Sequence, residues 1–570
     1  MKNYSDNKQK YMQRVIYSLL LFILYWLYGA REVVAEPWQW ADDGLYLHQA
    51  EEILRWVNGT QQQWLGAYNA TLLSKTPFFA LFLALTKIFC IPLRLAEFSL
   101  FLMLPFLFRR AINQFLSIKF TEFCVLTIIL VGLPIMPLEV SLARSALQMF
   151  LSSLCLIGVI GFLFRINEGF KKQSLWAFIT GLGFSLAYLN REESLWLLPA
   201  VSIAGIAEFF YNLKKYKKLQ SLLPLVVLIT TILAPILFVS LLNYKSYGVF
   251  FTTERRAPQM TRAYKILSSL EPATREKYVP IKTDTRLLAY KISPTFASLS
   301  SYLEGSQSDG IACSEAHHIL NDKQGGPREF FASTFEFVLR DAAYANGSIT
   351  APEMEKTFKK IANELILGIT QEKIKSGSSS IGICGAPIKG DAIRILQGTT
   401  LSLYNLYTVM GMHPQLSKCS SGDPKDLYRM AWMTQSASAP TQEFLMAITK
   451  NPLRHFRIKT VEILNMFDEL FYIINLIALF IGMYLVVIQK KTREVENIAL
   501  LIGFLLLGSL FSFALIMGIL HTLGFPILKY GGSYNAYGFA PLSVLSVYGF
   551  CFLKILVMPY FNKCIKLWLK

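Results

Sequence analysis

Ser221–Leu242 reads SLLPLVVLITTILAPILFVSLL and carries no charge. A helix needs about 20 apolar residues to cross the hydrocarbon core of a bilayer. One such run could be a buried core helix. A series of them separated by short basic loops could not. The whole chain supports the second case: of 570 residues, 53% are hydrophobic and 16% charged, against about a quarter charged in a typical soluble chain. The formal charge of +18 would suggest a nucleic-acid partner for a soluble protein. Here the lysines and arginines cluster in short loops between apolar runs, which is the mark of membrane topology. A membrane is therefore the expected partner, and nucleic acid is not.

Placing spans by apolar run and orienting them by Lys/Arg content gives a threading of about ten helices. The first covers about 14–30; Lys2, Lys8, Lys10 and Arg14 precede it, and it reads as an uncleaved first helix. Residues 77–112 allow two spans broken at Pro92-Leu93-Arg94, or a membrane-dipping helix over 77–91 and one span over 93–112. The second option puts Arg109 and Arg110 inside with the other basic loops. Further spans fall near 120–138, 146–164, 174–189, 194–210, 219–243, 470–488, 497–517 and 537–557. The inner segments then hold Arg109, Arg110 and Lys119; Arg165, Lys171 and Lys172; Lys214, Lys215, Lys217 and Lys218; Lys490, Lys491 and Arg493; and Lys563, Lys566 and Lys570. Both termini are expected in the cytoplasm. The expected fold class is an all-α polytopic membrane protein with a mainly helical extracytoplasmic domain. Its parts are an N-terminal membrane module (1–243) with an acidic first outer loop (31–76), a polar domain (244–468) and a C-terminal membrane module (469–570). In the polar domain, Thr350-Ala351-Pro352-Glu353 predicts a capped helix start. Met354, Phe358, Ile361, Leu365 and Ile369 then follow at helical spacing.

Several polar positions gather on the outer side of this threading. Asp42-Asp43 and Tyr46 follow the first span, and Lys75 precedes Thr76-Pro77. Arg144 and Arg191-Glu192-Glu193 open later spans, and Tyr537 opens the last. Charge at that depth is costly unless paired or facing a wet cavity. A carboxylate there can take a proton from an acceptor hydroxyl. Lysine and arginine can hold a phosphate. Each position also has a plainer reading when taken singly. Arg144 and Arg191 would snorkel to lipid headgroups. Glu192 or Glu193 would pair with Arg191. Asp-Asp-Gly is commonly a turn or helix cap. Trp38, Trp40 and Trp64 would sit in the interfacial aromatic belt. Lys75 alone has no topological use. Cys90, Cys124, Cys155 and Cys551 lie in apolar stretches and read as small core residues. At most one disulfide can form among Cys313, Cys384 and Cys419. No metal ligand set and no nucleotide-binding glycine loop is visible. No cofactor is firmly expected, and a divalent metal beside the acids is left open.

These elements resemble the GT-C superfamily of membrane glycosyltransferases, which includes protein O-mannosyltransferases and aminoarabinose transferases. Asp42-Asp43 with Tyr46 match an acidic pair soon after the first span. Lys75-Thr76-Pro77 matches a basic-x-Pro element opening a juxtamembrane helix. Arg191-Glu192-Glu193 match an Arg-x-Glu element, and Tyr537 with Pro541 a late Tyr-Pro. The resemblance covers about 1–245 and, faintly, 470–557. Tyr278-Val279-Pro280, Ser293-Pro294, Tyr302-Leu303-Glu304-Gly305 and Leu339-Arg340-Asp341-Ala342 are similar to a domain of uncharacterised bacterial relatives. Two departures stand out: Lys-Thr-Pro replaces a double proline, and Asn535 and Tyr537 stand where Arg-Tyr is frequent.

The resemblance implies an inverting transfer of a sugar from a polyprenyl-phosphate donor to an envelope lipid, glycan or protein, outside a bacterial inner membrane. It implies Asp42 or Asp43 as catalytic base, and Lys75, Arg144 and Arg191 as donor-phosphate ligands. Tyr46, Glu192, Glu193 and Tyr537 would position donor or acceptor. Two other readings remain, a transporter or flippase of lipid-linked glycans and a non-catalytic scaffold of envelope assembly.

The threading makes a direct prediction. In a cysteine-free variant, Asn58→Cys should react with a membrane-impermeant maleimide in intact cells. Lys217→Cys should react only after permeabilisation. Reversed labelling would refute the orientation.

Overall fold

A computed structural model describes residues 2–28, 42–113, 117–132, 144–165, 168–215, 222–271, 279–305, 329–330, 332–377, 391–409, 423–435 and 508–519, with the single positions 456, 459, 460 and 521. These residues are mostly helical, at 80%. The expected spans 470–488 and 537–557 lie outside them, as do Cys313, Cys384 and Cys419.

The first helices in the chain are α1 (Lys2–Tyr28), the polar α2 (Asp42–Val57), α3 (Phe78–Ile88), α4 (Leu93–Ile112) and α5 (Phe120–Thr127), which continues as a π-helical turn (Ile128–Gly132). Then come α6 (Ser145–Phe164), α7 (Phe170–Asn190), a 3₁₀ turn (Glu192–Leu197) leading into α8 (Leu198–Lys215), and α9 (Leu223–Tyr247). Among the described residues, Ser145–Phe164, Glu192–Tyr211 and Leu223–Tyr247 are long and apolar enough to cross a membrane, and α3 with α4 would make a fourth if they are one broken span. The chain bends by 107° between α3 and α4. They are neither one straight helix nor an antiparallel pair. Cys90 turns the corner at φ 53°, and Pro92 has no N–H to continue the ladder. Cys90 is exposed at this corner rather than a core residue; Cys155 is buried as expected.

Burial separates the helices. The apolar window of α6 is 94% buried and that of α9 only 17%. Leu233, Leu237, Phe238 and Leu241 of α9 face outward. An exposed apolar surface of that length needs a nonaqueous neighbour, and lipid supplies one. The centre is packed on small residues. A Cβ on Gly158 would lie 2.7 Å from the Thr180 backbone nitrogen, one on Gly161 2.2 Å from the Trp176 ring, and one on Gly183 2.6 Å from the Cys155 nitrogen. These pairings run antiparallel and bring the α6 and α7 backbones into contact, the small-residue packing favoured between membrane helices.

A second group of helices follows α9, which ends at Gly248 with φ 75° as a left-handed cap requires. They are α10 (Pro258–Ser269), α11 (Thr283–Ile292), the short α12 (Pro294–Ala297) and α13 (Ser300–Leu303), α14 (Ala332–Ala345) and α15 (Ala351–Thr370). The predicted cap is present: the Thr350 hydroxyl accepts from the Glu353 N–H, and the Glu353 carboxylate accepts from the Thr350 N–H. Met354, Phe358, Ile361 and Leu365 are buried and Ile369 is partly buried. A two-residue antiparallel pair joins β1 (Leu270–Glu271) to β2 (Lys375–Ser376) and closes this group. Beyond it lie α16 (Asp391–Val409), α17 (Pro424–Thr434) and the apolar α18 (Gly508–Ile519). α17 docks across α2 and α3, where the Lys87 ammonium donates to the Trp432 carbonyl at 2.7 Å and Arg429 forms an ion pair with Glu51.

Gly183→Val places a side chain against backbone that cannot yield. It should cost about 2 kcal/mol or more, read as a lower thermal midpoint in detergent. Gly205→Ala, whose nearest neighbour would be 3.5 Å away, should be neutral or stabilising by up to about 1 kcal/mol.

Candidate functional site

The site grows from the end of α7. The last carbonyls of a helix have no intrahelical partner. Here the Asn190 carbonyl accepts the Arg144 Nη1–H at 3.0 Å and the Thr76 hydroxyl at 3.2 Å. The Asn190 amide donates to Gln148 Oε1 at 2.9 Å, and Gln148 in turn donates to the Ser194 hydroxyl at 2.6 Å. One residue thereby pins the Lys75-Thr76-Pro77 segment, the start of α6 and the turn carrying Arg191-Glu192-Glu193. Arg191 reaches the Ser145 hydroxyl at 3.5 Å. Glu193 lies in the electrostatic field of Arg191, Arg144 and Arg255. Arg144 and Arg191 are 8% and 7% exposed, which removes the snorkelling reading for both. Charges held this deep are expensive unless partnered.

Tyr46 links this knot to α2. Its ring is buried, meets Phe79 edge-on at 5.4 Å, and carries the Arg144 guanidinium 5.1 Å from its centroid. Positions 42 and 43 begin α2 and lie one turn before Tyr46, on the same helix side. The side chains of Asp42 and Asp43 lie outside the described residues, as does Tyr537.

A second ring of charge lies beside the first. The Phe337 ring of α14 has Lys75 Nζ at 5.7 Å, the Arg255 guanidinium at 5.3 Å and that of Arg340 at 5.0 Å. The face of an aromatic ring is electron-rich and attracts cations. Arg340 is wholly buried and its Nη1 donates to Glu254 Oε2 at 2.6 Å. Glu254 Oε1 accepts the Tyr68 hydroxyl at 2.5 Å, and the Glu254 N–H donates to the Leu73 carbonyl at 2.8 Å. The Glu192 carboxylate accepts the Thr253 hydroxyl at 2.6 Å. Burial pushes the Glu254 carboxyl upward against the opposing pull of Arg340 and Tyr68. Burial, and then the neighbouring Glu254, push the Tyr68 phenol well above its ordinary range. The phenol therefore stays protonated and remains a donor to Glu254.

The expected residues Lys75, Arg144, Arg191, Glu192, Glu193 and Tyr46 thus share one neighbourhood. Sequence reasoning missed Tyr68, Glu254, Arg255, Glu336 and Arg340. One signal was available: Glu336 and Arg340 are four residues apart beside the apolar stripe Phe335, Leu339, Ala342 of α14, where charge is out of place in a simple amphipathic helix. The Trp64 expectation is corrected. It is not in an interfacial belt but 2% exposed, its indole N–H donating to Asn243 Oδ1 at 3.0 Å. Together with the bond from the Leu65 N–H to the Tyr247 hydroxyl at 3.1 Å, this fastens the first loop to the end of α9. Among the described residues, no group of three His, Cys, Asp or Glu side chains could hold a metal ion.

Removing one member of a buried ion pair costs about 3–5 kcal/mol. Arg340→Leu and Glu254→Leu should each destabilise the protein on that scale, while the double variant should cost clearly less than their sum. A double-mutant cycle of detergent unfolding measures this, and strict additivity would show that the two groups do not act together.

No family model matches this chain, and neither do the curated proteins or the solved structures compared with it.

Proposed function

We propose that the chain is a glycosyltransferase that moves a sugar from a polyprenyl-phosphate donor to an envelope acceptor on the outer side of a bacterial inner membrane, with both termini cytoplasmic. The observation that carries this reading is that Arg144 and the Lys75-Thr76 segment meet at the Asn190 carbonyl, Arg191 reaches Ser145 beside them, and Lys75, Arg255 and Arg340 share the Phe337 ring. Cations from distant parts of the chain, held beside apolar helices long enough to span a membrane, suit a phosphate attached to a lipid.

The chemistry is one displacement at the anomeric carbon. Asp43, or Asp42, takes the proton of the acceptor hydroxyl. The acceptor oxygen forms its bond to the anomeric carbon as the bond from that carbon to the phosphate oxygen breaks. The electron pair leaves with the polyprenyl phosphate, whose growing charge Lys75 and Arg191 neutralise, with Arg144 behind them. Stabilising charge that develops only in the transition state is what raises the rate. Glu192 or Glu193 positions the donor or holds Arg191, Glu193 lying in the field of that arginine, and Tyr46 sets the position of Arg144. Residues 244–468 form the extracytoplasmic domain that caps the cavity and helps select the acceptor.

Purified protein given labelled polyprenyl-phosphate sugars and an envelope extract should transfer label. Lys75→Ala should lower turnover by about 10²-fold or more, the usual loss for an electrostatic stabiliser, and Asp43→Asn should lower it at least as far. Unchanged transfer in Asp42→Asn, Asp43→Asn and Lys75→Ala would end this site assignment. Vectorial movement of the lipid with no sugar transfer would replace the transferase by a flippase.

A further inference from the structure

A cavity of about 360 Å³ opens beside the cation cluster, between the start of α10 and α14, with Arg255, Arg256, Thr261, Tyr264 and Glu336 in its wall. Its volume lies in the range of small-ligand sites and has room for a monosaccharide. The wall combines two guanidinium groups, one carboxylate, a hydroxyl and an aromatic ring.

Glu336 is the informative residue. Its side chain is 1% exposed, yet among the described residues neither carboxylate oxygen has a hydrogen-bond partner. Arg255 forms an ion pair with it, but the Arg255 Nε lies 3.5 Å away, too long to satisfy either oxygen. A buried carboxylate left with open acceptor positions on a cavity wall is costly, and such a group calls for an explanation. Hydroxyl groups of a bound molecule would fill those positions. Arg256 lines the same cavity and is exposed; its guanidinium lies 6.0 Å from the Tyr188 ring and donates to the Tyr188 hydroxyl. It adds a solvent-accessible cation to the cavity wall. The cavity thus carries both an acceptor of hydroxyls, Glu336, and an exposed binder of anions, Arg256.

We propose that this cavity binds an acidic sugar, with Glu336 accepting its hydroxyls and Arg256, assisted by Arg255, holding its carboxylate or phosphate. Its position next to Lys75 and Phe337 makes it the acceptor subsite, and that second step rests on the glycosyl-transfer reading above. The binding step does not.

Full-length protein in lipid nanodiscs is titrated with hexoses, hexuronates and hexose 6-phosphates of the gluco and galacto series, and binding is followed by calorimetry and saturation-transfer NMR. At least one acidic sugar should bind about tenfold tighter than its neutral parent, the gain of roughly one charge-assisted contact. Whether the hexuronate or the 6-phosphate binds tighter identifies the acidic group. Arg256→Gln should abolish the preference for the acidic sugar while lowering the thermal midpoint only slightly, because Arg256 is exposed and its contact with Tyr188 is a surface one. Glu336→Gln should weaken the neutral and acidic sugars alike. Equal binding of acidic and neutral sugars, an undiminished preference in Arg256→Gln, or competition by inorganic phosphate as strong as that of the sugar phosphate would each overturn the proposal. A protein that binds acidic sugars but transfers none would leave the pocket standing and remove the transferase reading.

Discussion

The Asn190 carbonyl is the point on which the site depends. Two donors from separate segments, Thr76 and Arg144, share it, and the Asn190 side chain fixes Gln148 and through it Ser194. Helix ends leave carbonyls open. In water that vacancy is cheap; beside buried helices it must be filled by protein. Filling it with an arginine from one segment and a threonine next to Lys75 brings charge from three parts of the chain together. The same constraint explains why Arg144 and Arg191 are buried and not spread on a headgroup surface.

A second fastening holds the first loop from the other side. Tyr68 and Leu73 bind Glu254, and Glu254 binds Arg340 on α14. Trp64 and Leu65 bind Asn243 and Tyr247 at the end of α9. The 58–77 segment is therefore held between the end of α9 and the Glu254–Arg340 pair that leads to α14. A loop held in this way keeps Lys75 in place beside Phe337. Tight small-residue contact between α6 and α7 gives the bundle a stiff centre against which these bonds can act.

Much of the helical layout was readable from residue order. The boundaries of α4, α6, α7 and α9 follow runs of apolar residues because a nonaqueous surround penalises every unpaired backbone group and every exposed charge in the same way. The cap at Thr350 and the apolar periodicity of α15 are local rules and were equally readable. The apolar length of α9 followed from the uncharged run 221–242. The place of Trp64 was not readable, since a tryptophan near a span suits either an aromatic belt or a buried hydrogen bond. Choosing between them needs Asn243, which is far away in the chain.

The order of apolar and polar residues was thus enough to establish a helical chain with membrane-length spans, and to mark Asp42, Asp43, Lys75, Arg144, Arg191, Glu192 and Glu193 as the polar positions to follow. Local periodicity and hydropathy carry that information because they act within one or two helical turns. Only the tertiary structure brought Lys75 to Phe337, recruited Arg255 and Arg340 to the same ring, and left Glu336 open on a cavity wall. Those meetings depend on how α10 and α14 pack against the first loop. A contact between residues 262 apart in the chain, Lys75 and Phe337, leaves no trace in the periodicity of either segment.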